Sequence, residues 1–261
     1  MELNEKVAFV TGAGRGIGRG IAERLCAAGV RTVLASRTWE TVKDVAEKLR
    51  AGGADCIALR CDVTDRDQIA DAIGQCVEKY GQLDVLVNNA QNFGTEAEPT
   101  PALVTKPLEA FPWEEVEFTF RGGLGGSLWA MQAAFPHLKA SEGAAVVNFG
   151  SAAGYRGQVG IVAYNVTKEA IRALTRTAAR EWGEYGITVN NVVPAITTDA
   201  IRGFFADKAE LYETTVANIP LRRLGDPYVD GGGLVSYLAG PDARFITGMS
   251  IEVDGGSLMH P

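Results

Sequence analysis

The stretch "KVAFVTGAGRGIGRGIAERL", residues 6–25, joins a short apolar run to a glycine-rich turn and then to a helical pattern. The apolar run is typical of a buried strand, and Ile17, Ile21 and Leu25 recur with the spacing of one helix face. Glycines at 12, 14, 16 and 18 would let the backbone approach a pyrophosphate, whose charge then lies at the helix N-terminus. The stretch therefore predicts a strand, a nucleotide-binding turn and a helix.

Short apolar runs rich in β-forming residues recur along the chain, beginning near residues 6, 31, 55, 83, 144, 187 and 249, with helical patterns between them. Continuous apolar strands separated by helices predict a parallel sheet that is covered on both faces. We therefore predict a single doubly wound α/β domain of the Rossmann type over residues 1–261, with a mostly parallel seven-stranded sheet. Residues 90–112 and 194–225 are less regular and follow strand ends, where ligands bind in such sheets.

Composition excludes several classes of function. The chain has 261 residues, is 46% hydrophobic and 22% charged, and carries a formal net charge of -7. That charge and the lack of a basic run argue against a nucleic-acid partner. No apolar stretch is long enough to span a bilayer, and no signal-peptide core follows the N-terminus. We expect a cytoplasmic protein with no membrane partner. The cysteines, at 26, 56, 61 and 76, have no metal-site spacing, so we expect reduced thiols and no metal.

Several motifs together resemble one family. The glycine spacing is Thr-Gly-x-x-x-Gly-x-Gly, since Ile17 and Arg19 stand where the last glycine of a GxGxxG pattern would fall. It is followed by "NNA" at 88–90, by Ser151, Tyr164 and Lys168, and by "VDGG" at 253–256. Over essentially the whole chain this set resembles the short-chain dehydrogenase/reductase family.

Tyr164 and Lys168 are four residues apart, so on a helix they share one face. Such a pair also occurs by chance on many helices. An ammonium near a phenol favours the phenolate, which predicts a lowered Tyr164 pKa, and the hydroxyl of Ser151 could donate to a substrate carbonyl oxygen. The resemblance implies that these three residues are catalytic. On this hypothesis Tyr164 exchanges a proton with the substrate oxygen, and a nicotinamide cofactor exchanges a hydride with the substrate carbon.

The end of the second strand indicates which cofactor is preferred. An acidic residue there would accept a hydrogen bond from the 2'-hydroxyl of the adenosine ribose, but this chain has Ser36 followed by Arg37. A hydroxyl and a guanidinium can hold a 2'-phosphate, and Arg15 could close on the same group. We predict that NADP(H) is preferred over NAD(H), with a merely solvated Arg37 as the alternative.

The resemblance also implies a wider cofactor site. Its residues are Gly12, Gly14, Arg15, Gly16, Ile17, Gly18, Ser36, Arg37, Thr38, Asp62, Val63, Asn89, Ala90, Tyr164, Lys168, Pro194, Ile196 and Thr197. Asp62 matches a family aspartate that meets the adenine amino group, and it could also cap the helix that begins near Asp65.

The chain departs from the family at three places. Gln91 replaces a glycine near the nicotinamide, where its side chain could narrow or polarise the substrate site or point to solvent. Gly123 stands where many members have an asparagine that links the lysine to a proton relay, so the relay could use solvent, a backbone carbonyl or Ser127. The glycines at 122, 123, 125 and 126 weaken that helix by ~1 kcal/mol each and suggest close packing or a local bulge. Finally, Ala195 replaces a glycine, with Asp199 where a threonine often stands.

The substrate itself is not readable from the sequence. We name Gln91, Phe93, Ala153, Phe204 and Phe205 as candidate contacts, with residues 194–225 as a lid, although the apolar side chains there could equally form a buried helix face. We expect a small carbonyl or alcohol substrate and, by resemblance, a homotetramer or homodimer. Alternatives are reduction of an imine or an activated C=C bond, or a non-catalytic NADP(H)-binding regulator.

Overall fold

The computed structural model describes residues 1–259, except for the side chains of Ala200 and Phe204. Its strands are β1 (Val7–Thr11), β2 (Arg31–Ser36), β3 (Cys56–Arg60), β4 (Val85–Asn88), β5 (Phe93–Gly94), β6 (Pro99–Thr100), β7 (Ala145–Phe149), β8 (Thr188–Pro194) and β9 (Ser250–Val253). Its α-helices are α1 (Gly16–Ala27), α2 (Trp39–Ala51), α3 (Arg66–Tyr80), α4 (Trp113–Phe120), α5 (Gly126–Ala140), α6 (Ala152–Arg156), α7 (Val162–Trp182), α8 (Asp199–Phe205), α9 (Ala209–Ala217) and α10 (Gly233–Ala239).

Seven strands form one sheet in the order β3-β2-β1-β4-β7-β8-β9. Each neighbouring pair is parallel; Val7 pairs with Arg31 on one side of β1, for example, and Ala8 pairs with Val85 on the other. This architecture confirms the predicted fold class, including the positions of all seven strands.

Helices cover both faces because alternate residues of the buried strands point to opposite sides. Ala8 and Val10 of β1 pack with apolar residues of α1, α2 and α10. Val7 and Phe9, which alternate with them along the strand, pack with α3, α5 and α7 on the other face. Two apolar layers therefore hold the sheet, and the chain reverses its direction of winding between β1 and β4. The crevice at the carboxyl ends of these two strands is where such sheets bind ligands.

A buried polar ladder ties the centre of the sheet to α7. Nδ2 of Asn88 donates to Oδ1 of Asn148 at 2.9 Å, and Nδ2 of Asn148 donates to Oγ1 of Thr175 at 3.0 Å. Buried hydrogen-bonded networks of this kind disfavour other arrangements of the same elements. The ladder therefore fixes α7 relative to β4 and β7.

The two less regular stretches contain more structure than the sequence suggested. Residues 90–112 include the antiparallel ribbon of β5 and β6, in which Phe93 pairs with Thr100. Residues 194–225 contain the short helices α8 and α9. Within residues 1–259, no helix is long and apolar enough to cross a membrane.

The glycine-rich helix is interrupted. Between α4 and α5, residues Arg121–Gly125 form a π-turn, in which the helix widens by one residue. The local bulge suggested by the glycines is therefore present, and it lies opposite α7, against which α4 and the π-turn both pack.

Candidate active site

The turn between β1 and α1 takes a path that favours glycine. Gly12 and Gly16 have positive φ angles of 68° and 55°, a region that residues with a Cβ rarely adopt. A Cβ on Gly18 would lie 2.4 Å from the carbonyl oxygen of Gly12. In the described structure the side chain of the N-cap residue Arg15 makes no hydrogen bond to the first turn of α1. The first N–H groups of α1 therefore remain for an anion such as a pyrophosphate.

Asn89 and Ala90 hold this turn from the neighbouring strand. Their backbone N–H groups both donate to Oγ1 of Thr11 at 3.0 Å. Nδ2 of Asn89 also donates to the Thr11 carbonyl at 2.9 Å. The asparagine therefore positions the turn, and Thr11 is a supporting residue that the sequence analysis missed.

The carboxyl end of β2 forms a polar corner beside the turn. A Cβ on Gly14 would lie 2.5 Å from Oγ1 of Thr41 and 3.4 Å from Oγ of Ser36, so both hydroxyls face Gly14. Arg37 and Arg60 line a shallow cleft next to it, and Arg60 is the register partner of Ser36 on β3. The corner therefore combines two hydroxyl groups with two guanidinium groups; the hydroxyl of Thr41 donates to the carbonyl of Thr38 at 2.9 Å, and Glu40 also lines the cleft. Thr41 and Arg60 were not among the predicted residues.

Asp62 does not cap the following helix. Asp65 does so, because its carboxylate accepts the N–H groups of Asp67 and Gln68. Asp62 instead accepts the N–H and the hydroxyl of Thr64 at 3.0 and 2.8 Å, which closes a local turn. Its other oxygen lies 3.9 Å from Nη1 of Arg37. The capping alternative is therefore wrong, and Asp62 faces the polar corner.

Arg15 links the turn to residues 90–112. Its Nη2 donates to the carbonyl of Pro101 at 3.4 Å. Farther along, the N–H of Lys106 donates to the carbonyl of Gly160, just before α7, at 2.9 Å. This segment therefore crosses the cleft from the cofactor turn to the helix that carries Tyr164.

The three predicted catalytic residues come together. Ser151 follows β7 as the N-cap of α6, where its Oγ accepts the N–H of Ala153 at 3.1 Å. Tyr164 lies close enough to Ser151 for the serine side chain to lower the pKa of the phenol. Nζ of Lys168 lies 5.4 Å from the centre of the Tyr164 ring and donates to the carbonyl of Phe149 at 2.8 Å. A serine, a tyrosine and a lysine thus converge at the carboxyl end of β7.

Burial determines the direction in which the pKa values of Tyr164 and Lys168 shift. Desolvation raises the pKa of Tyr164, and the Ser151 side chain lowers it by less. Desolvation also lowers the pKa of Lys168 to about 7, so the lysine is only partly charged near neutral pH. The direction for Tyr164 is opposite to the sequence-based expectation, because burial outweighs any field of the ammonium. The phenol accordingly keeps its proton, as a proton donor requires.

The buried lysine predicts a pH-dependent stability. Between pH 7 and the unfolded value of 10.5 the unfolded chain holds a proton on Lys168 that the native protein lacks, so stability rises with pH across this window. Below pH 7 the buried charge is at its most costly. We expect Lys168→Met to unfold at a higher temperature than the wild type at pH 6, by roughly 5 °C or more, and this advantage to shrink toward pH 10.

Calorimetry of both proteins between pH 6 and pH 10 measures this effect. Lys48→Met, which removes an exposed lysine of α2, is the matched control and should show no such trend. An advantage of Lys168→Met that is constant with pH would contradict the assignment.

Gln91 points neither to solvent nor freely into the cleft. Its Nε2 donates to the carbonyls of Thr119 and Asn92 at 3.0 and 3.1 Å. Gly123 lies beside it, and the carbonyl of Gly123 accepts the hydroxyl of buried Ser127 at 2.7 Å. The Ser127 hydroxyl is therefore already committed to the helix that carries it.

Of the candidate substrate residues, Phe93 contacts Tyr164. The ring of Phe93 lies 5.7 Å from that of Tyr164, centre to centre. Ala153 is buried next to Ser151. Phe205 stands at the end of α8 and packs edge-on against Tyr212 at 5.4 Å. The side chain of Phe204 lies outside the described residues.

The remaining predicted cofactor contacts lie beyond β8 and β3. Past Pro194, the N–H of Thr197 donates to the carbonyl of Gly225 at 2.8 Å. Ile196 and Gly225 form a parallel bridge, so the N–H and carbonyl of Ile196 itself point away from Gly225. Thr198, rather than Asp199, caps α8. After β3, the carbonyl of Val63 would lie 2.7 Å from a Cβ on Gly126, and Thr38 is the N-cap of α2.

Known proteins of similar sequence match almost the whole chain. A family model described as enoyl-(acyl carrier protein) reductase matches residues 12–257. A 12alpha-hydroxysteroid dehydrogenase from Clostridium sp. is 34% identical over 263 residues and is covered, like this chain, over 98% of its length. A 3-oxoacyl-(acyl-carrier-protein) reductase FabG from Staphylococcus aureus is 35% identical over 255 residues, which cover 97% of this chain and 98% of the relative.

Two solved structures share the fold of this chain over nearly its whole length. A blue fluorescent protein from a metagenomic library, in complex with NADPH, has a TM-score of 0.86 at 33% identity and covers 99% of this chain and 100% of that one. A short-chain dehydrogenase/reductase of the glucose/ribitol dehydrogenase type from Brucella melitensis also has a TM-score of 0.86, at 28% identity, with 98% of both chains covered.

Proposed function

The chain belongs to the short-chain dehydrogenase/reductase family of oxidoreductases, and we propose that it interconverts a ketone or aldehyde and its alcohol with NADP(H) as the preferred cofactor. The observation that carries this proposal is the convergence of Ser151, Tyr164 and Lys168 at the carboxyl end of β7. A protein that only bound nucleotide would have no need of a buried lysine beside a protonated phenol.

The residues present fit a dinucleotide. Glycines 12, 14 and 18 let the turn pack closely against Asn89, Thr41 and its own backbone, on a path that a Cβ would block. The first turn of α1 would hold the pyrophosphate, and the corner at Ser36 and Arg37 would hold the adenosine end. Lys168 and the backbone of Ile196 would hold the nicotinamide end. When bound there, the cofactor supplies or takes up a hydride.

The protein's own groups handle the proton and the charge on oxygen. Tyr164, with its raised pKa, donates its proton to the carbonyl oxygen during reduction and takes it back during oxidation. The Ser151 hydroxyl donates a hydrogen bond to the same oxygen as negative charge develops there. Lys168, with a pKa of about 7, favours the phenolate in its charged form after Tyr164 has given up the proton.

The preference for NADP(H) rests on the corner after β2. Ser36 and Thr41 place hydroxyls beside Gly14, and Arg37 lies close by with its side chain 47% exposed and therefore free to move onto a phosphate. Asp62, at 3.9 Å, holds the Arg37 guanidinium only loosely, and Glu40 lines the same cleft. Arg15 adds a further positive charge in the turn.

One observation favours a second function. The matching family model is described as an enoyl-(acyl carrier protein) reductase, which points to reduction of an activated C=C bond. Against it, the two curated relatives named above are a hydroxysteroid dehydrogenase and a 3-oxoacyl reductase, whose names describe carbonyl or alcohol chemistry.

Consumption of NADPH, with NADH in parallel, against ketones, aldehydes, imines, quinones and activated alkenes separates these functions. The proposal expects turnover of carbonyl compounds with NADPH favoured. Turnover of alkenes alone would support the second function. Tight NADPH binding without turnover of any compound would favour the regulator.

We further propose that residues 194–225 act as a lid, with Phe205 among the substrate contacts, and that the protein self-associates in the cytoplasm. Exposed apolar side chains at Tyr237, Phe245 and Met249, near the open edge of β9, support self-association. The four cysteines are free and buried, as expected for reduced thiols. Sedimentation of a monomer at micromolar concentration would contradict the assembly.

A further inference from the structure

Two neighbouring amide side chains enter the π-turn between α4 and α5. Nε2 of Gln91 donates to the carbonyl of Thr119, and Nδ2 of Asn92 donates to the carbonyl of Phe118 at 2.7 Å. These are consecutive carbonyls in the last turn of α4, where widening of the helix disturbs the ordinary hydrogen-bond ladder. Both amides therefore bind helix carbonyls just before the π-turn, and the carbonyl of Phe118 also accepts the N–H of Arg121.

The glycines of the π-turn make room for these amides. A Cβ on Gly122 would lie 1.5 Å from Oδ1 of Asn92, and the three heavy atoms nearest to that Cβ all belong to Asn92. A Cβ on Gly123 would lie 2.7 Å from Oε1 of Gln91 and 2.3 Å from Cγ2 of Thr167. The amide groups of Asn92 and Gln91 thus occupy the space that side chains at positions 122 and 123 would need.

This arrangement touches the catalytic helix at two points. Thr167, which Gly123 allows to approach, is the residue before Lys168. Phe93, which directly follows the two amides, places its ring 5.7 Å from that of Tyr164. The positions of Tyr164 and Lys168 on α7 are therefore set partly from the segment 91–93 and the π-turn.

We propose that Gln91 and Asn92 form an amide wedge that holds the π-turn open and so positions Tyr164 and Lys168. They act through their neighbours and are positioning residues rather than catalytic ones. The kinetic part of this inference rests on the proposed function, whereas the structural part does not depend on it.

The first test is a double-mutant cycle on thermal stability, which needs no substrate. Gly122→Ala should lower the melting temperature, because its methyl group collides with Asn92. In the Asn92→Ala background the same change should be neutral or stabilising, since the colliding amide is gone and alanine favours helix. Gly125→Ala is the matched control, because the atoms nearest to its Cβ would be those of the Trp129 ring, at 3.2 Å, and not those of Asn92. Its effect should be the same in both backgrounds.

The second test is kinetic and uses Gln91→Glu, which keeps the side-chain size but cannot donate when ionised. We expect kcat to fall about tenfold at pH 8 with the KM for NADPH changed less than threefold, because misplaced groups slow the chemical step. At low pH the protonated carboxyl can donate to Thr119 again, so kcat relative to wild type should recover as pH falls. A role in binding substrate would instead raise the substrate KM and leave kcat intact.

The outcomes are separable. Additive effects of Gly122→Ala and Asn92→Ala would overturn the wedge even if the enzyme is an active reductase. Coupling in the cycle together with an unchanged kcat in Gln91→Glu would overturn the positioning role. Loss of the proposed function alone would leave the thermal cycle intact as a test of the wedge.

Discussion

Replacing Tyr164 by phenylalanine is expected to lower kcat for carbonyl reduction by roughly 10³-fold while leaving NADPH binding within a few-fold of wild type. The phenol is the group whose raised pKa keeps it protonated next to Ser151, so its removal takes away the proton donor. Phenylalanine keeps the ring that packs against Phe93, so the fold of the site should survive. Steady-state rates and the quenching of protein fluorescence by NADPH measure the two effects.

A matched control for this variant is Tyr80→Phe, which removes a hydroxyl at the end of α3 that donates to Asp55. Its turnover should stay close to that of wild type. If Tyr164→Phe retained full turnover, Tyr164 would not be the proton donor, and the mechanism would have to pass through another group. If it lost NADPH binding as well, the residue would be needed chiefly to hold the cofactor.

Introducing a carboxylate at the end of β2 is expected to reverse the cofactor preference. Ser36→Asp places a negative charge beside Gly14 and Thr41, where we propose that the 2'-phosphate binds. Like charges brought together at a binding site cost several kcal/mol. We expect the KM for NADPH to rise roughly 100-fold, equivalent to about 2.7 kcal/mol. The KM for NADH should fall, because the carboxylate can accept from the ribose hydroxyls.

Ser36→Asn is the matched control, since it has the size of aspartate without the charge. It should weaken NADPH binding far less than Ser36→Asp. Equal effects of the two variants would show that space rather than charge matters at this corner. A wild-type preference for NADH would refute the assignment of Ser36, Arg37 and Arg15 to a phosphate.

The fold was predictable because its signals are local. The continuous apolar strands and the helical periodicity between them report burial directly, and all seven strands of the sheet lie where those runs stand. The glycine turn was predictable for a similar reason. Gly12 and Gly16 have positive φ angles, which glycine adopts readily, so a cluster of glycines directly after a strand indicates such a turn.

The parts that sequence reasoning missed depend on contacts between distant segments. Thr11 and Thr41 are unremarkable in the sequence, and only the fold places their hydroxyls against Asn89 and Gly14. The hydroxyl of Thr64 closes on Asp62, so the helix cap falls to Asp65 instead. The expected direction of the Tyr164 pKa was wrong because desolvation depends on every surrounding element.

The glycine-rich helix was predicted in part. Its glycines indicated close packing or a bulge, and the π-turn at Arg121–Gly125 provides both. The partners of these glycines could not be predicted, since β5, β6 and α4 separate Gln91 and Asn92 from the π-turn along the chain. A useful signal would have been the coincidence of an unexpected glutamine after "NNA" with glycines where a side chain is usual.

The most direct test of the proposed chemistry follows the hydride itself. NADPH carrying deuterium at C4 of the nicotinamide would be incubated with the carbonyl compound that is turned over fastest, and the product examined by mass spectrometry and NMR. We expect one deuterium on the carbon that bore the carbonyl oxygen, with the hydroxyl proton coming from solvent. Deuterium on a carbon of a former C=C bond, or the absence of label transfer to any carbonyl carbon, would contradict it.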